Sequence, residues 1–455
     1  MLLFATMAYA TIYAMYSAWN LPYFGDDQEY AILARNITMG VLSETSNPYT
    51  VRALQVYPIV ALYELFGYSK FVGSLWNSIT FILTVFLAYL LGEELYSKTA
   101  GVASALLLSF FPLVVEFTGT MNVDVPLMFF VSLQAFALLK AVRTRRRSWF
   151  AASGALLLAP ILVNPLGVLS VVFTLVVLAF EYYKKNLKLD SESAFFLYGL
   201  FAVFFLVAIK DYALSGNPLN TFVLNGNFYS RIAPPNYSAP GANATPTFYL
   251  NVAFPYQSSD AFRLSNTVGL YFYALVLSIT YLVLAREKRA NYAFLWMGVM
   301  FLYLSIGPQN VGLQPPMYLL LIRLGRYLMP IAVPLVATIG VGLASASDRL
   351  KGAGWGRAAL LLPILVVVVL VLTSVPISQK WFSILSTNNY GLLPSGQYLI
   401  TYPNTNGLYY FNGITNLVVF TGTGAYGGSS VYPYAGNCTY VSFGFYGLPE
   451  TGLLC

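Results

Sequence analysis

The sequence predicts an all-α polytopic membrane protein that ends in a small β-rich tail outside the membrane. Of its 455 residues, 58% are hydrophobic and only 9% are charged, and the mean hydropathy is +0.67. Soluble globular domains carry about 25% charged residues, so this composition excludes that class. Eleven apolar segments also approach the length of about 20 residues that a helix needs to cross a bilayer.

These eleven predicted spans account for most of the first 376 residues. Short polar connections join them on one side of the membrane, and longer segments join several of them on the other. They lie at residues 1–19, 70–92, 98–116, 125–142, 149–163, 165–183, 193–213, 265–285, 290–306, 325–346 and 357–376.

Basic residues in the short connections set the predicted orientation. One side of the membrane collects the run RTRRR at 143–147 and further lysines and arginines within 184–188, 286–289 and 349–357. Short cytoplasmic loops are enriched in Lys and Arg, so this side is predicted to face the cytoplasm. The N-terminus is then inside and the C-terminus outside. The net charge of +7 reflects this topology, and we expect no nucleic-acid partner.

Three stretches lie outside the predicted spans. Two of them, 20–69 and 214–264, are outer loops that belong to a membrane domain of residues 1–376. The third, 377–455, mixes Tyr, Thr, Val and Ile with Gly, Asn and Pro. That mixture is typical of short strands and turns. The tail is therefore predicted to be β-rich and extracytoplasmic.

The two cysteines, Cys438 and Cys455, both lie in this tail. Oxidation is permitted outside the cytoplasm, so a disulfide and two free thiols remain equally compatible with the sequence. At the other end of the chain, the first apolar segment lacks a basic n-region and a small-residue cleavage site. We therefore expect it to be retained as a helix.

Two helices are predicted in the first outer loop. In DDQEYAILARNITMGV (26–41), apolar residues recur at helical spacing, which indicates an amphipathic helix lying in the membrane interface with its apolar side down. These apolar residues are Tyr30, Leu33, Ala34, Ile37 and Val41. Asp26 and Glu29 have the spacing of a capping box, which is the structural alternative to a functional role. The segment YPIVALYELFG (57–67) is too short to cross and is predicted to be a half-helix.

Carboxylates on one face of the membrane are the candidate site. Asp26 and Asp27 precede the first loop helix, and Asp124 lies at the predicted outer start of a span. Such a cluster could bind a divalent cation or act as a general base, although Asp124 could also simply cap its helix. The chain has no histidine, so acid–base chemistry would fall to carboxylates.

The order and spacing of four segments resemble the GT-C superfamily of polyprenyl-phosphate-sugar-dependent glycosyltransferases, in particular the protein mannosyltransferase and aminoarabinose transferase branch. The resemblance is carried by the first third of the chain and extends to the rest by topology. The segments are DDQEY (26–30), YPIVALYELFG (57–67), YLLGEELYSKTAGVASALLLSFFPLVVEFTGTMNVDVPLMFFVSL (89–133) and GRYLMPIAVPL (325–335). The Trp-Trp-Asp signature of oligosaccharyltransferases is absent, which argues against transfer of a whole glycan to asparagine.

The resemblance implies roles for individual residues. Asp26 matches the general base, with Asp27 beside it, and Asp124 matches a second active-site acid. These three would also be the ligands of any divalent metal, a cofactor that the sequence leaves unknown. Arginines suit a lipid phosphate. Before the half-helix proline the chain departs from the family pattern, since it has Gln55 and Tyr57 where many relatives carry a charged residue. The predicted substrate-binding residues are Arg35, Arg323, Arg326, Tyr327 and Tyr57. Snorkelling of Arg323 and Arg326 at a helix end is the structural alternative.

The implied activity is transfer of a sugar from a polyprenyl, dolichyl-type phosphate carrier to an acceptor on the extracytoplasmic side. The identity of the sugar stays open. The acceptor class also stays open between protein, lipid and glycan. The implied location is the plasma membrane of a prokaryote, and we favour an archaeon. A transporter or flippase of lipid-linked sugars is the alternative from another functional class, and a structural scaffold is a third.

Overall fold

The computed structural model describes residues 1–21, 27–40, 49–187, 190–225, 249, 268–307, 325–387 and the strands of the tail. Its helices are α1 Leu2–Asn20, α2 Asp27–Thr38, α3 Ala53–Phe66, α4 Lys70–Leu95, α5 Lys98–Ser109, α6 Pro112–Phe117, α7 Asp124–Thr144, α8 Arg147–Leu156, α9 Val168–Tyr183, α10 Ser191–Ser215, α11 Tyr271–Leu284, α12 Asn291–Ile306, α13 Met329–Gly352 and α14 Gly356–Thr387. Short 3₁₀ turns precede α9, α12 and α13, at Pro165–Gly167, Lys288–Ala290 and Gly325–Leu328.

Six helical segments among the described residues are long and apolar enough to cross a bilayer. They are Lys70–Leu95, Asp124–Thr144, Pro165–Tyr183, Ser191–Ser215, Arg326–Gly352 and Gly356–Gln379. Each overlaps a predicted span, so the described bundle is an all-α, multi-pass membrane fold.

Helix α13 runs through the middle of this bundle. Nearly all of its apolar part is buried. It packs on α5, α7, α11, α12 and α14. At Gly340 it approaches α5 so closely that a Cβ would lie 2.7 Å from the Ala100 carbonyl oxygen. Small residues allow such close helix contacts inside membranes. The packing fixes the helix whose leading turn carries Arg326.

Two predicted spans are not continuous helices. The segment 98–116 is divided between α5 and α6, because Pro112 begins α6 and forces the preceding Phe111 into an extended conformation. The segment 149–163 is helical only in α8, which ends at Leu156 before a turn-rich stretch that contains Pro160. The chain therefore changes direction inside two segments that hydropathy alone treats as single spans.

The first loop helix, α2, was predicted to lie in the membrane interface with its apolar side down. In the structure its apolar side packs onto protein instead. Tyr30, Leu33 and Ala34 are buried in the main hydrophobic core with Val56 and Ile59 of α3. The helical periodicity was sufficient to predict a helix, but not to say whether lipid or protein covers its apolar face.

Helix α3 contains an internal proline, Pro58, which cannot donate the backbone hydrogen bond that would reach the Leu54 carbonyl. The indole Nε1 of Trp76 donates to that carbonyl instead, at 3.0 Å. The half-helix is thereby attached to α4, and its start is held at the same end of the bundle as the start of α7.

The tail contains two antiparallel sheets. The first has the order β1-β2-β3-β4, and the second has the order β5-β6-β7. The strands are β1 Leu392–Leu393, β2 Gln397–Thr401, β3 Gly407–Asn412, β4 Asn416–Thr421, β5 Val431–Pro433, β6 Thr439–Phe445 and β7 Leu448–Leu454. Helix α14 continues to Thr387, so the predicted boundary at 377 falls inside it. Cys438 and Cys455 lie outside the described residues.

Candidate active site

Asp124 is the first residue of α7, and its side chain is only 1% exposed. The N-cap is Val123, which makes no side-chain capping bond, and Asp124 is the residue that follows it. Pro126 is tolerated in this first turn because its missing N–H would have no helical partner there. The carboxylate Oδ2 of Asp124 instead lies 3.5 Å from Nε of Arg326.

Arg326 belongs to the 3₁₀ turn that leads into α13 and is 20% exposed at its side chain. It is therefore not a snorkelling arginine that extends from a helix end into the headgroups. Its guanidinium also lies within electrostatic range of Glu116. Two carboxyl groups thus lie within electrostatic range of one guanidinium, and Tyr327, the residue after Arg326, is also buried. Of the predicted site residues, Asp124 and Arg326 thus face each other in the described geometry.

Glu116 is a site residue that sequence reasoning missed. It lies in α6, is 6% exposed, and its Oε2 atom has no hydrogen-bond partner among the described residues. A buried acid in an apolar segment is costly and therefore usually has a charged neighbour or a function. The signal was the lone carboxylate in PLVVEF, ahead of the Asp124 turn.

The loop between α6 and α7 is held by side chains that donate to its backbone carbonyl groups. Lys70 donates to Gly119 at 2.7 Å, Gln55 to Met121 at 2.6 Å and Asn77 to Asn122 at 2.7 Å. We name Gln55, Lys70 and Asn77 the loop clamp. Since buried carbonyl groups need partners, these bonds restrict the path of the loop that carries Asp124.

Asp27 lies near one member of the loop clamp, Lys70. It is fully buried at the start of α2, within electrostatic range of Lys70 and of the Tyr63 hydroxyl. Arg35, from the last turn of α2, is near the same hydroxyl and places its guanidinium over the Tyr68 ring, 4.9 Å from the centroid. Lys70 therefore links the surroundings of Asp27 to the loop that leads to Asp124.

A second missed residue, Arg52, anchors α2 to the start of α3. It is 3% exposed, donates to the Tyr30 hydroxyl, and lies over the Tyr49 ring at 4.6 Å. Its signal in the sequence was a single basic residue next to an apolar half-helix, which topology arguments treat only as an interface anchor.

The remaining predicted residues are not brought to this cluster by the described geometry. Asp26 and Arg323 lie outside the described residues. Tyr57 is 40% exposed on α3 and has Asp211 of α10 as its charged neighbour. Among the residues that the structure describes, no three acidic, cysteine or histidine side chains form a group that could hold a metal ion.

Comparison with known proteins gives an independent view of this arrangement. Residues 54–209 match the sequence profile of the dolichyl-phosphate-mannose-protein mannosyltransferase family. ArnT from Cupriavidus metallidurans, solved bound to undecaprenyl phosphate, aligns over 84% of this chain and 76% of its own, with 16% identity and a TM-score of 0.56. The chain has the GT-C fold. The resemblance predicted from the sequence is confirmed.

A second GT-C structure extends the comparison. The archaeal oligosaccharyltransferase AglB from Archaeoglobus fulgidus, solved with an inhibitory peptide and a dolichol-phosphate, matches 84% of this chain with 13% identity and a TM-score of 0.57. The match spans only 56% of AglB. Another structure of that oligosaccharyltransferase contains Zn and sulfate. No curated protein matches the chain in a sequence search.

Proposed function

We propose that the protein is a membrane glycosyltransferase that moves a sugar from a polyprenyl phosphate carrier to an acceptor on the extracytoplasmic side. The observation that carries the proposal is the Asp124–Arg326 pair, flanked by Glu116, at one end of a GT-C bundle. Solved GT-C relatives bind undecaprenyl phosphate or a dolichol-phosphate. Arginine suits such a phosphate because a guanidinium can donate two parallel hydrogen bonds to it.

The proposed reaction needs a base and a stabilised leaving group. A carboxylate, Asp26 with Asp27 beside it, takes the proton of the acceptor hydroxyl as its oxygen attacks the anomeric carbon. The bond between that carbon and the phosphate oxygen breaks, and the polyprenyl phosphate leaves with the bonding electrons. Arg326 stabilises this anion, and Asp124 fixes the orientation of Arg326.

Other residues have supporting roles in this proposal. Arg323 and Arg35 are further phosphate ligands, and Tyr327 and Tyr57 border the donor. The loop clamp holds Asp124 in register with Arg326. Placement matters because misplacing a reacting group by about 1 Å can cost about a hundredfold in rate.

The described acids do not fit a divalent cation well. Asp124 already faces a guanidinium, and no group of three potential ligands occurs in the described part of the chain. A metal held by Asp26, Asp27 and Asp124 therefore stays a hypothesis, supported only by the zinc in the oligosaccharyltransferase structure.

The topology of the proposal follows the charge pattern. Basic residues at the far end of the bundle support a cytoplasmic N-terminus and an outer active site and tail. The proposal keeps eleven spans and a prokaryotic, archaeal plasma membrane, on which the charge pattern has no bearing. The tail at 377–455 would lie on the acceptor side and could select the acceptor. The transferred sugar, hexose or pentose, is left undefined.

The test is loss of a radiolabelled sugar from its lipid carrier when purified protein receives an acceptor. Asp26→Asn should abolish transfer and leave the protein folded. The matched control is Asp348→Asn, which makes the same chemical change on an exposed side chain at the far end of α13. Normal turnover by the Asp26→Asn variant would remove Asp26 from its role. Movement of an intact lipid-linked sugar across the membrane, with no bond broken, would favour the flippase alternative.

A further inference from the structure

A cavity lies at the opposite end of α7 from Asp124. Its volume is about 330 Å³, and it is bordered by the ends of α7, α9 and α12. Arg143, which lines it, is separated from Asp124 by nearly the whole helix. At 1.5 Å per residue, that distance is about 30 Å. The cavity is therefore separate from the candidate active site.

The rim of this cavity is basic. Glu181 is the one carboxylate among the residues that line it. Four cationic side chains line it as well: Arg143, Lys184, Lys288 and Arg289. Arg143 and Arg289 are near Glu94 and Glu287, at 3.5 and 3.7 Å.

The other two cations lack a carboxylate partner of this kind among the described residues. Lys184 and Lys288 form no ion pair with any described residue, and both are exposed. Lys184 lies over the Phe180 ring, with Nζ 4.0 Å from the centroid. The rim is thus a concave surface that retains uncompensated positive charge at the end of three helices.

The wall below the rim is apolar. Leu139 lies one turn deeper than Arg143, Val177 lies about two turns deeper than Lys184, and Leu295 lies one turn inside α12. A free anion would gain nothing from such a wall, whereas an amphiphile would contact both parts. Basic pockets between membrane helices are suited to phosphate headgroups.

We propose that this cavity binds an anionic phospholipid from the leaflet opposite the active site, with its headgroup phosphate on Lys184 and Lys288 and the start of its hydrocarbon chain along the apolar wall. Binding of this lipid would join α7, α9 and α12, and it requires no glycosyl transfer.

The test uses phosphatidylglycerol and the full chain. Native mass spectrometry would compare lipid retention by the wild type and by the double variant Lys184→Gln/Lys288→Gln. Each membrane-proximal cation contributes about 1 kcal/mol, so the double variant should bind about tenfold to thirtyfold more weakly. Lys184→Arg/Lys288→Arg should retain the lipid.

The control is Lys351→Gln/Arg357→Gln, which removes equal charge at the same end of the bundle but outside the cavity lining. It should bind phosphatidylglycerol as the wild type does. Equal loss in both Gln variants would overturn the proposal, because general attraction to a basic face would explain it. In phosphatidylcholine nanodiscs, phosphatidylglycerol should raise the melting temperature and inorganic phosphate should not. Equal stabilisation by inorganic phosphate would overturn assignment to a lipid.

Discussion

A double-mutant cycle on Asp124 and Arg326 should reveal a large interaction energy. The perturbations are Asp124→Asn, Arg326→Gln and the two together. The two groups lie 3.5 Å apart, with the side chains 1% and 20% exposed. Their gross attraction is about 5 kcal/mol at the effective dielectric constant of about 20 that reproduces measurements in proteins. Because desolvation offsets part of it, we expect a coupling of about 2–3 kcal/mol.

The two single changes should not be equivalent. Asp124→Asn leaves the guanidinium with Glu116 as a remaining acidic neighbour, so we expect a cost of about 2–4 kcal/mol. Arg326→Gln leaves two buried carboxyl groups without their cation, so we expect about 3–5 kcal/mol. The free energy of unfolding would be measured by titrating sodium dodecyl sulfate into detergent micelles and following circular dichroism.

The structure supplies a matched control for the cycle. Lys351 and Asp348 are also 3.5 Å apart, but their side chains are 60% and 55% exposed. Exposed pairs contribute about 0.2–1 kcal/mol, so the control cycle should fall in that range. A coupling for Asp124 and Arg326 no larger than that of the control would refute the buried ion pair.

Three further outcomes are expected. Asn77→Leu removes one donor of the loop clamp and should cost about 1–3 kcal/mol of unfolding free energy in the same titration. It should also slow sugar transfer about tenfold. An unchanged rate would exclude a positioning role. Gly199→Leu should lower the free energy of unfolding by about 1–3 kcal/mol, because a Cβ there would lie 2.0 Å from the Ala151 carbonyl oxygen. Its control is Gly298→Leu, which should be nearly neutral because the space around the Cβ position is open. Capping of α10, aided by a salt bridge, lowers the pKa of Asp190. The stability difference between the wild type and Asp190→Asn should therefore be constant above about pH 5 and shrink below about pH 4. A difference independent of pH would contradict this.

The sequence contained enough information to predict the fold class and part of the site. Apolar length and sparse charge predicted the helical bundle, and the resemblance selected both Asp124 and Arg326, which lie 3.5 Å apart. The division of the span at 98–116 also had a visible cause in Pro112. Hydropathy averages over such a proline, however, so the predicted helix continued through it.

Other features of the site could not be predicted because they depend on tertiary contacts. The loop clamp bonds to backbone carbonyl groups, which are the same for every residue type and leave no pattern in the sequence. Gln55 and Asn77 consequently looked like ordinary polar residues in apolar helices. Glu116 could have been found by asking which carboxylates stand alone in apolar segments.

The most direct test of the central claim is a structure of the protein with a polyprenyl phosphate bound. We expect the phosphate within hydrogen-bonding distance of the Arg326 guanidinium, at the end of the bundle where Asp124 begins α7. A bound polyprenyl phosphate whose headgroup contacts neither Arg326 nor its neighbours would contradict this.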